Sequence, residues 1–336
     1  MLYEAYISLA RNFPAQCDGL YGQQLDGASD CWLAVDVQAF PSFLLKAQSS
    51  DARSDIELRF VSVQFSRECE IATTNGSPAR AAYTVVRLEE NDPDLVRLFL
   101  RLLEEGFCGG RAPRTNRAIG VRILELANLF SQIENSPKDV IGLWGELQVI
   151  CEAASRENAT RCWCQQSNAK YDFICDGFAL EVKSTLKPRR EHRFSLDQLR
   201  PSSGDLEVFI ASLQLVQAQG GKAVFELIDE ILADITDVEL RMAFLSLCLA
   251  KGGSDIYRSN LRFQLLARDA GIAYFAATDI PVPVVEPSGQ ISNVRFDVCL
   301  DAIKPQTGAQ RDCRWRSTPL TGVHRQRGHK RRIQQL

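Results

Sequence analysis

The sequence predicts a mixed α/β protein, in which a β-rich first third is followed by helices that alternate with strands. Residues 1–110 alternate apolar and polar side chains in short runs that Gly, Ser, Asn and Pro separate, a pattern typical of an antiparallel sheet. From residue 91 the apolar spacing becomes helical, and the later run LEVFIASLQLV is typical of a strand in the middle of a sheet. We therefore expect a β-rich domain at 1–112 and an α/β domain at 113–308, with a basic, disordered tail at 309–336.

The first third contains three runs typical of strands in a meandering antiparallel sheet: CWLAVDVQAF, DIELRFVSVQF and ARAAYTVVRLEE. The first helix is expected in NDPDLVRLFLRLLEEGF. There Asn91 or Asp92 can cap the helix, and Pro93 lies in its first turn.

The remaining elements are predicted from the same patterns. Helices are expected at about 115–133, from Ser136 and Pro137 onward, at SLDQLR, and at about 221–233 and 236–250. Strands are expected at about 170–175 and 178–184, in LEVFIASLQLV, and in GIAYFAA and SNVRFDVCLDAI, while STLKPRREHRF is expected to be a loop. One apolar stripe marks the buried face of the helix that follows Pro137: Val140, Leu143, Trp144, Leu147 and Ile150.

Composition excludes several classes of protein. The chain is 45% hydrophobic and 24% charged, as globular proteins are, and it has no stretch of about 18 apolar residues that would span a membrane. The start MLYEAYISLARNF contains Glu4 and no basic segment, so it does not resemble a secretory signal. The eleven cysteines form no CxxC pair, and the three histidines lie far from Cys162 and Cys164, so a structural zinc site is not expected. Unpaired thiols are typical of a reducing compartment, and we expect a cytoplasmic protein with no membrane contact.

The net charge of −3 conceals an asymmetry. Residues 311–336 contain eight basic residues and one acidic residue, a net charge of +7, and the rest of the chain therefore carries about −10. Such a tail either binds nucleic acid through its charges or stays solvated.

The stretch KYDFICDGFALEVKS predicts a tight hairpin. An Asp-Gly pair favours a two-residue turn, and a turn at Asp176 and Gly177 sets Asp172 opposite Glu181. Strand alternation then places Lys183 on the same face as Glu181. Asp176 projects on this face as well, but we interpret it as the turn residue.

Two carboxylates facing each other repel, and a divalent cation between them would remove the repulsion. Carboxylate oxygens suit Mg²⁺, which commonly shares substrate phosphate oxygens, and a neighbouring lysine can stabilise developing phosphorane charge or position a water. The residues alone leave a second interpretation open, in which Lys183 neutralises Glu181 on the exposed face of an edge hairpin.

The order of elements around this hairpin resembles the PD-(D/E)xK nuclease superfamily, whose core has the order α-β-β-β-α-β. More narrowly, GLWGEL, YDF, LEVKS, a later QL and SNVRFDVCL resemble a bacterial group named PD-(D/E)xK motif proteins. The resemblance covers roughly residues 1–303, with its diagnostic residues between 141 and 199. One departure is Tyr171, which stands where a proline often precedes the aspartate.

This resemblance implies a restriction-endonuclease-like core, a mixed sheet flanked by helices, with Asp172 and Glu181 as metal ligands and Lys183 as the catalytic lysine. It also implies that Glu146 holds a metal or orients its water, and that Gln198 supports the site. From the residues alone, an alternative stays open for each: Glu146 could be an exposed helix carboxylate, and Gln198 could be a side chain that bonds to the backbone.

The loop after the catalytic strand carries a basic cluster that either contacts DNA phosphates or is simply solvated: Lys187, Arg189, Arg190 and Arg193. His192 lies among them, but its pattern is too weak to assign it as a base.

The resemblance implies a Mg²⁺-dependent DNA endonuclease, with Mn²⁺ as a substitute, in a restriction or phage-defence setting. Two alternatives stay open: a catalytically silent subunit of a defence complex, and a nuclease acting on RNA or branched DNA. DNA is the expected partner, with a homodimer or defence-system proteins as further partners, because one site cuts one strand.

Overall fold

The computed structural model describes thirteen stretches of the chain: 2–25, 30–46, 53–58, 60–73, 76–108, 115–132, 139–163, 169–175, 177–200, 206–257, 260–266, 271–284 and 293–306. The side chains of 127–132 and of 254 are not described. Ser136, Pro137, Cys164, Asp176 and the basic tail lie outside these stretches, so the predictions made for them stay predictions.

A helix that the sequence prediction missed opens the fold, α1 (Leu2–Arg11), which buries Leu2, Tyr6 and Leu9 at helical spacing. Six strands follow: β1 (Leu20–Gln24), β2 (Cys31–Val35), β3 (Pro41–Lys46), β4 (Ile56–Glu57), β5 (Val61–Thr73) and β6 (Ala79–Leu88). Their order is β1-β2-β3-β6-β5-β4, and most pairs are antiparallel, as predicted.

The predicted meandering antiparallel sheet is wrong in one respect, because β1 also pairs in parallel with β5 and the sheet closes on itself. The cause lies in β5, which is long and carries an irregularity between Gln64 and Arg67, with Ser66 at a φ of 52°. Such a bulge bends a strand, and the bend allows the end of β5 to reach β1 at Ile71.

Two helices follow this closed sheet. The helix α2 (Pro93–Phe107) is capped by Asp92, whose side chain accepts from the N–H groups of Asp94 and Leu95. The helix α3 (Asn116–Gln132) follows, close to its predicted position.

The second half contains the order α-β-β-β-α-β that the resemblance implies, with one further helix before the strands. Its elements are α4 (Val140–Glu152), α5 (Arg156–Cys162), β7 (Phe173–Cys175), β8 (Phe178–Thr185), β9 (Glu191–Ser195), α6 (Leu196–Leu199) and β10 (Glu207–Ala223). The chain continues through α7 (Val224–Asp234), α8 (Val238–Gly252), a 3-10 turn (Gly253–Tyr257), β11 (Arg262–Leu265), β12 (Ile272–Ala276), a 3-10 turn (Ala277–Asp279) and β13 (Arg295–Cys299). The mixed α/β fold and its restriction-endonuclease-like core order are thus confirmed.

The strands of this half form a mixed sheet in the order β11-β10-β8-β7, with β12 also paired to β10. The central strands β8 and β10 run parallel, which requires the crossover through β9 and α6. The strand β9 was predicted as a loop, which is wrong. Its buried residues alternate, however, with His192 and Phe194 inside, and it pairs with β13.

One large apolar core includes Phe107, Ile123 and Phe244, from both sides of the predicted domain boundary at 112. The boundary itself stays a prediction. Among the described residues, no helix is long and apolar enough to cross a membrane.

Candidate active site

The β7–β8 hairpin has the predicted register. Phe173 pairs with Leu180 and Cys175 with Phe178, and Gly177 has a φ of 82°, as the turn requires. Because β7 begins at Phe173, Asp172 lies just before the strand. Its Oδ2 accepts a 2.8 Å hydrogen bond from the N–H of Val182, which fixes its carboxylate beside β8.

Glu181 and Lys183 form a close pair on β8. The Lys183 Nζ lies 2.6 Å from Glu181 Oε1 and 5.9 Å from the centre of the Phe194 ring. Glu181 is only 5% exposed, so this hairpin face is not the solvated edge that the alternative interpretation required. Burial, and the charge of Asp172, raise the pKa of Glu181 to about 7, against the opposing effect of Lys183.

Gln198 is fixed at the start of α6 by a capping box. Its Oε1 accepts from the N–H of Ser195, while its own N–H donates to Ser195 Oγ. With its oxygen used in the cap, the amide Nε2 faces Glu181 and donates to Oε1 at 2.7 Å. Gln198 therefore bonds to the backbone and to the site together. Tyr171, at the position of the missing proline, is buried and donates to the carbonyl of Gln198 at 3.2 Å.

Glu146 reaches the same region from α4. It is 8% exposed, so it is not the exposed helix carboxylate of the alternative interpretation. Its Oε2 accepts from Trp163 Nε1 and from Lys251 Nζ, both at 2.6 Å. Burial, followed by repulsion from Asp172, raises the pKa of Glu146 to about 8, and the bonds from Lys251 and Trp163 act in the other direction.

Sequence reasoning missed Lys251 and Trp163. Lys251 lies in the last turn of α8, where a lysine is unremarkable in sequence, yet its Nζ also lies 3.4 Å from Asp172 Oδ1. Trp163 offered one signal, since a buried indole N–H needs an acceptor, but the sequence does not show which acceptor it finds.

The basic cluster, which lies after β8 and on β9, contains two kinds of side chain. Three cations are exposed, and each pairs with an acid: Lys187 with Glu191, Arg189 with Asp301, and Arg193 with Asp297. Arg190 is different, because it is 8% exposed and donates inward to Ser212 and to the carbonyl of Gly271. Its guanidinium is a structural group in the interior, out of reach of a phosphate at the surface.

The donor set fits a hard divalent cation, since it consists of carboxylates from the start of β7, from β8 and from α4. In the structure these carboxylates form ion pairs with lysines: Glu181 with Lys183, and Glu146 and Asp172 with Lys251. Within the described part of the chain, no three Asp, Glu, His or Cys side chains converge as they would around a metal ion. Binding a metal would therefore require these side chains to rearrange.

Comparison with known families is consistent with this geometry. The family model described as "Putative PD-(D/E)XK family member (DUF4420)" matches residues 23–301. No curated protein and no solved structure shows a significant match to the chain.

Proposed function

Since the chain belongs to the DUF4420 family of PD-(D/E)XK proteins, we propose that it is a metal-dependent DNA endonuclease that hydrolyses phosphodiester bonds. The observation that carries the proposal is the meeting of Asp172, Glu181 and Lys183 on one hairpin with Glu146 from a separate helix. Glu146 and Glu181 are buried carboxylates with raised pKa values, so their burial destabilises the charged form. Such carboxylates are common at functional sites.

Each side chain has a role in this proposal. Asp172, Glu181 and Glu146 would hold Mg²⁺, with Mn²⁺ as a substitute. The bound metal would supply an activated water and neutralise charge at the phosphate. Lys183 would donate to the non-bridging oxygens of the phosphate as their charge increases. Gln198 would keep the Glu181 carboxylate in one orientation through its 2.7 Å bond.

The exposed cations Lys187, Arg189 and Arg193 would contact the DNA backbone. Arg190 is not proposed as a DNA contact, because it is buried and donates to Ser212. Double-strand cleavage would need two copies of the site, which a homodimer or a partner protein would provide. We place this activity in the cytoplasm, in restriction or phage defence.

The test is a plasmid-nicking assay with Mg²⁺ on wild type, Lys183→Met and Asp172→Asn, with Lys222→Gln as the control. Lys222 also pairs with a glutamate, but that glutamate is Glu230, which is not one of the proposed site residues. Asparagine keeps an acceptor for the Val182 N–H, so Asp172→Asn removes the charge with little change in fold. We expect metal-dependent nicking by wild type and by the control, and a loss of at least about 100-fold in the other two variants.

Nicking at the wild-type rate by both site variants would refute the assignment of these residues. Metal binding by wild type without cleavage of plasmid, RNA or branched DNA would instead identify a silent subunit.

A further inference from the structure

Lys251 lies between two of the proposed metal ligands. Its Nζ is 2.6 Å from Glu146 Oε2 and 3.4 Å from Asp172 Oδ1, and it stands 5.5 Å from the centre of the Trp163 ring. The Glu146 side chain is 10% exposed and that of Asp172 is 18% exposed. The ammonium is therefore the cation that neutralises this part of the carboxylate cluster.

A divalent metal and this ammonium compete for the same oxygens. Mg²⁺ sits about 2.1 Å from its ligand oxygens, so a metal on Glu146 Oε2 would lie within about 5 Å of the ammonium in its present position. The Glu146 oxygen concerned already accepts two hydrogen bonds, one from Trp163 and one from Lys251. Two like charges at that separation in a mostly buried cluster repel strongly.

We propose that Lys251 is a displaceable internal cation, which holds Glu146 and Asp172 together in the metal-free protein and leaves them when the metal binds. This inference rests on the proposed metal site. Lys251 thus sets the metal concentration at which the site fills, although it is not itself a ligand.

Lys251 is better suited to this movement than Lys183. Lys183 is part of β8, whose backbone is held between β7 and β10, and its partner Glu181 is two residues away on the same strand. Lys251 is on the last turn of α8, its side chain is 29% exposed, and two glycines follow it in the sequence. The outer part of its side chain can turn to solvent with the helix in place.

The first experiment is calorimetric titration of Mg²⁺ and Mn²⁺ into wild type, Lys251→Gln, Lys251→Arg and Lys222→Gln. We expect Lys251→Gln to bind metal at least about 10-fold more tightly than wild type. This factor corresponds to a wild-type protein in which Lys251 has left the carboxylates in about a tenth of the molecules. Lys251→Arg keeps the positive charge, and Lys222→Gln removes a charge elsewhere, so both should bind as wild type does. If Lys251 were merely structural, Lys251→Gln would bind metal more weakly than wild type.

A second measurement uses the wild-type protein alone, so it does not depend on how the variants fold. The amine is acetylated briefly with an acylating reagent in EDTA or in saturating Mg²⁺, and labelling is quantified by peptide mass spectrometry, with Lys222 as the internal standard. Release by the metal predicts a several-fold rise in Lys251 labelling. Equal labelling with and without metal would overturn the proposal.

The two proposals fail in different ways. Absence of metal binding in all four proteins would refute the metal site and, with it, the displacement. Metal binding that is equal or weaker in Lys251→Gln than in wild type would refute the displacement alone. Binding by Lys251→Gln and not by wild type would support both.

Discussion

His192 illustrates how burial determines the state of a single residue next to the site. Its Nε2 lies 2.7 Å from Ser212 Oγ, and Ser212 also accepts from the guanidinium of Arg190. Burial lowers the pKa of His192 to about 4, with further lowering by the charges of Lys183, Arg190 and Lys187 and an opposing effect from Asp301. The ring is therefore neutral near pH 7, which agrees with a packing role.

This shift predicts a loss of stability in acid. Below pH 6.5 the unfolded chain binds a proton at His192 that the folded protein does not bind until about pH 4, so the free energy of unfolding falls as the pH falls between these values. From pH 7.5 to pH 5 the loss amounts to about 2 kcal/mol. Urea denaturation of wild type and His192→Gln at both pH values measures it, because glutamine can keep the bond to Ser212 without titrating.

No other histidine occurs in residues 1–323, so the difference between the two proteins isolates this side chain. A loss of stability between the two pH values that is equal in wild type and variant would contradict the assignment.

At the scale of elements, the contact of α4 with β8 determines how far Glu146 stands from the hairpin. Gly145, the residue before Glu146, packs against Ser184, and a Cβ on Gly145 would lie 1.9 Å from Ser184 Oγ. Among the described residues the buried Ser184 Oγ has no hydrogen-bond partner. Gly145 thus permits α4 to approach β8 closely, and a methyl group added at Gly145 would clash with the Ser184 hydroxyl.

A double-mutant cycle tests this contact. We expect Gly145→Ala to lose about 1–3 kcal/mol through overpacking, partly offset by up to about 1 kcal/mol of helix propensity. Ser184→Ala should be neutral or slightly stabilising, because it removes an unpaired buried hydroxyl. In the double variant the alanine should be tolerated, which gives a favourable coupling of about 1–2 kcal/mol in urea denaturation. Strictly additive changes would show that the helix can move away at little cost.

For the molecule as a whole, local features were predictable from sequence and distant ones were not. The Asp-Gly turn, the strand alternation and the apolar stripe of α4 depend on neighbouring residues, so the hairpin register and the buried face of α4 followed from them. The place of Glu146 in the site was implied only by the family resemblance. Lys251 is 105 residues from Glu146, and its position depends on the packing of α8 against α4. The closure of β1 on β5 is equally non-local, because it pairs Leu20 with Ile71, which are far apart in the chain.

The distribution of charge over the molecule raises the question of how an acidic body would bind DNA. The three exposed cations of the basic cluster are held by surface ion pairs, which contribute little to stability, so a phosphate can replace the acid at small cost. Lys187 and Arg189 follow the strand that carries Lys183, and Arg193 lies on the next strand, β9, so these cations are close in the chain to the proposed site.

Replacing the three exposed cations of the basic cluster together, as Lys187→Gln, Arg189→Gln and Arg193→Gln, should weaken DNA binding and its dependence on salt. Each phosphate contact contributes about 0.9 to the slope of log K against log salt, so the slope should become shallower by up to about 3. Binding of a short duplex is measured in EDTA, which prevents cleavage, at several salt concentrations. The matched control replaces Arg67, Arg80 and Lys222 with glutamine, since these are three exposed cations that also pair with acids but lie elsewhere. An equal change of slope in both triple variants would mean that total charge, rather than the basic cluster, governs the affinity for DNA.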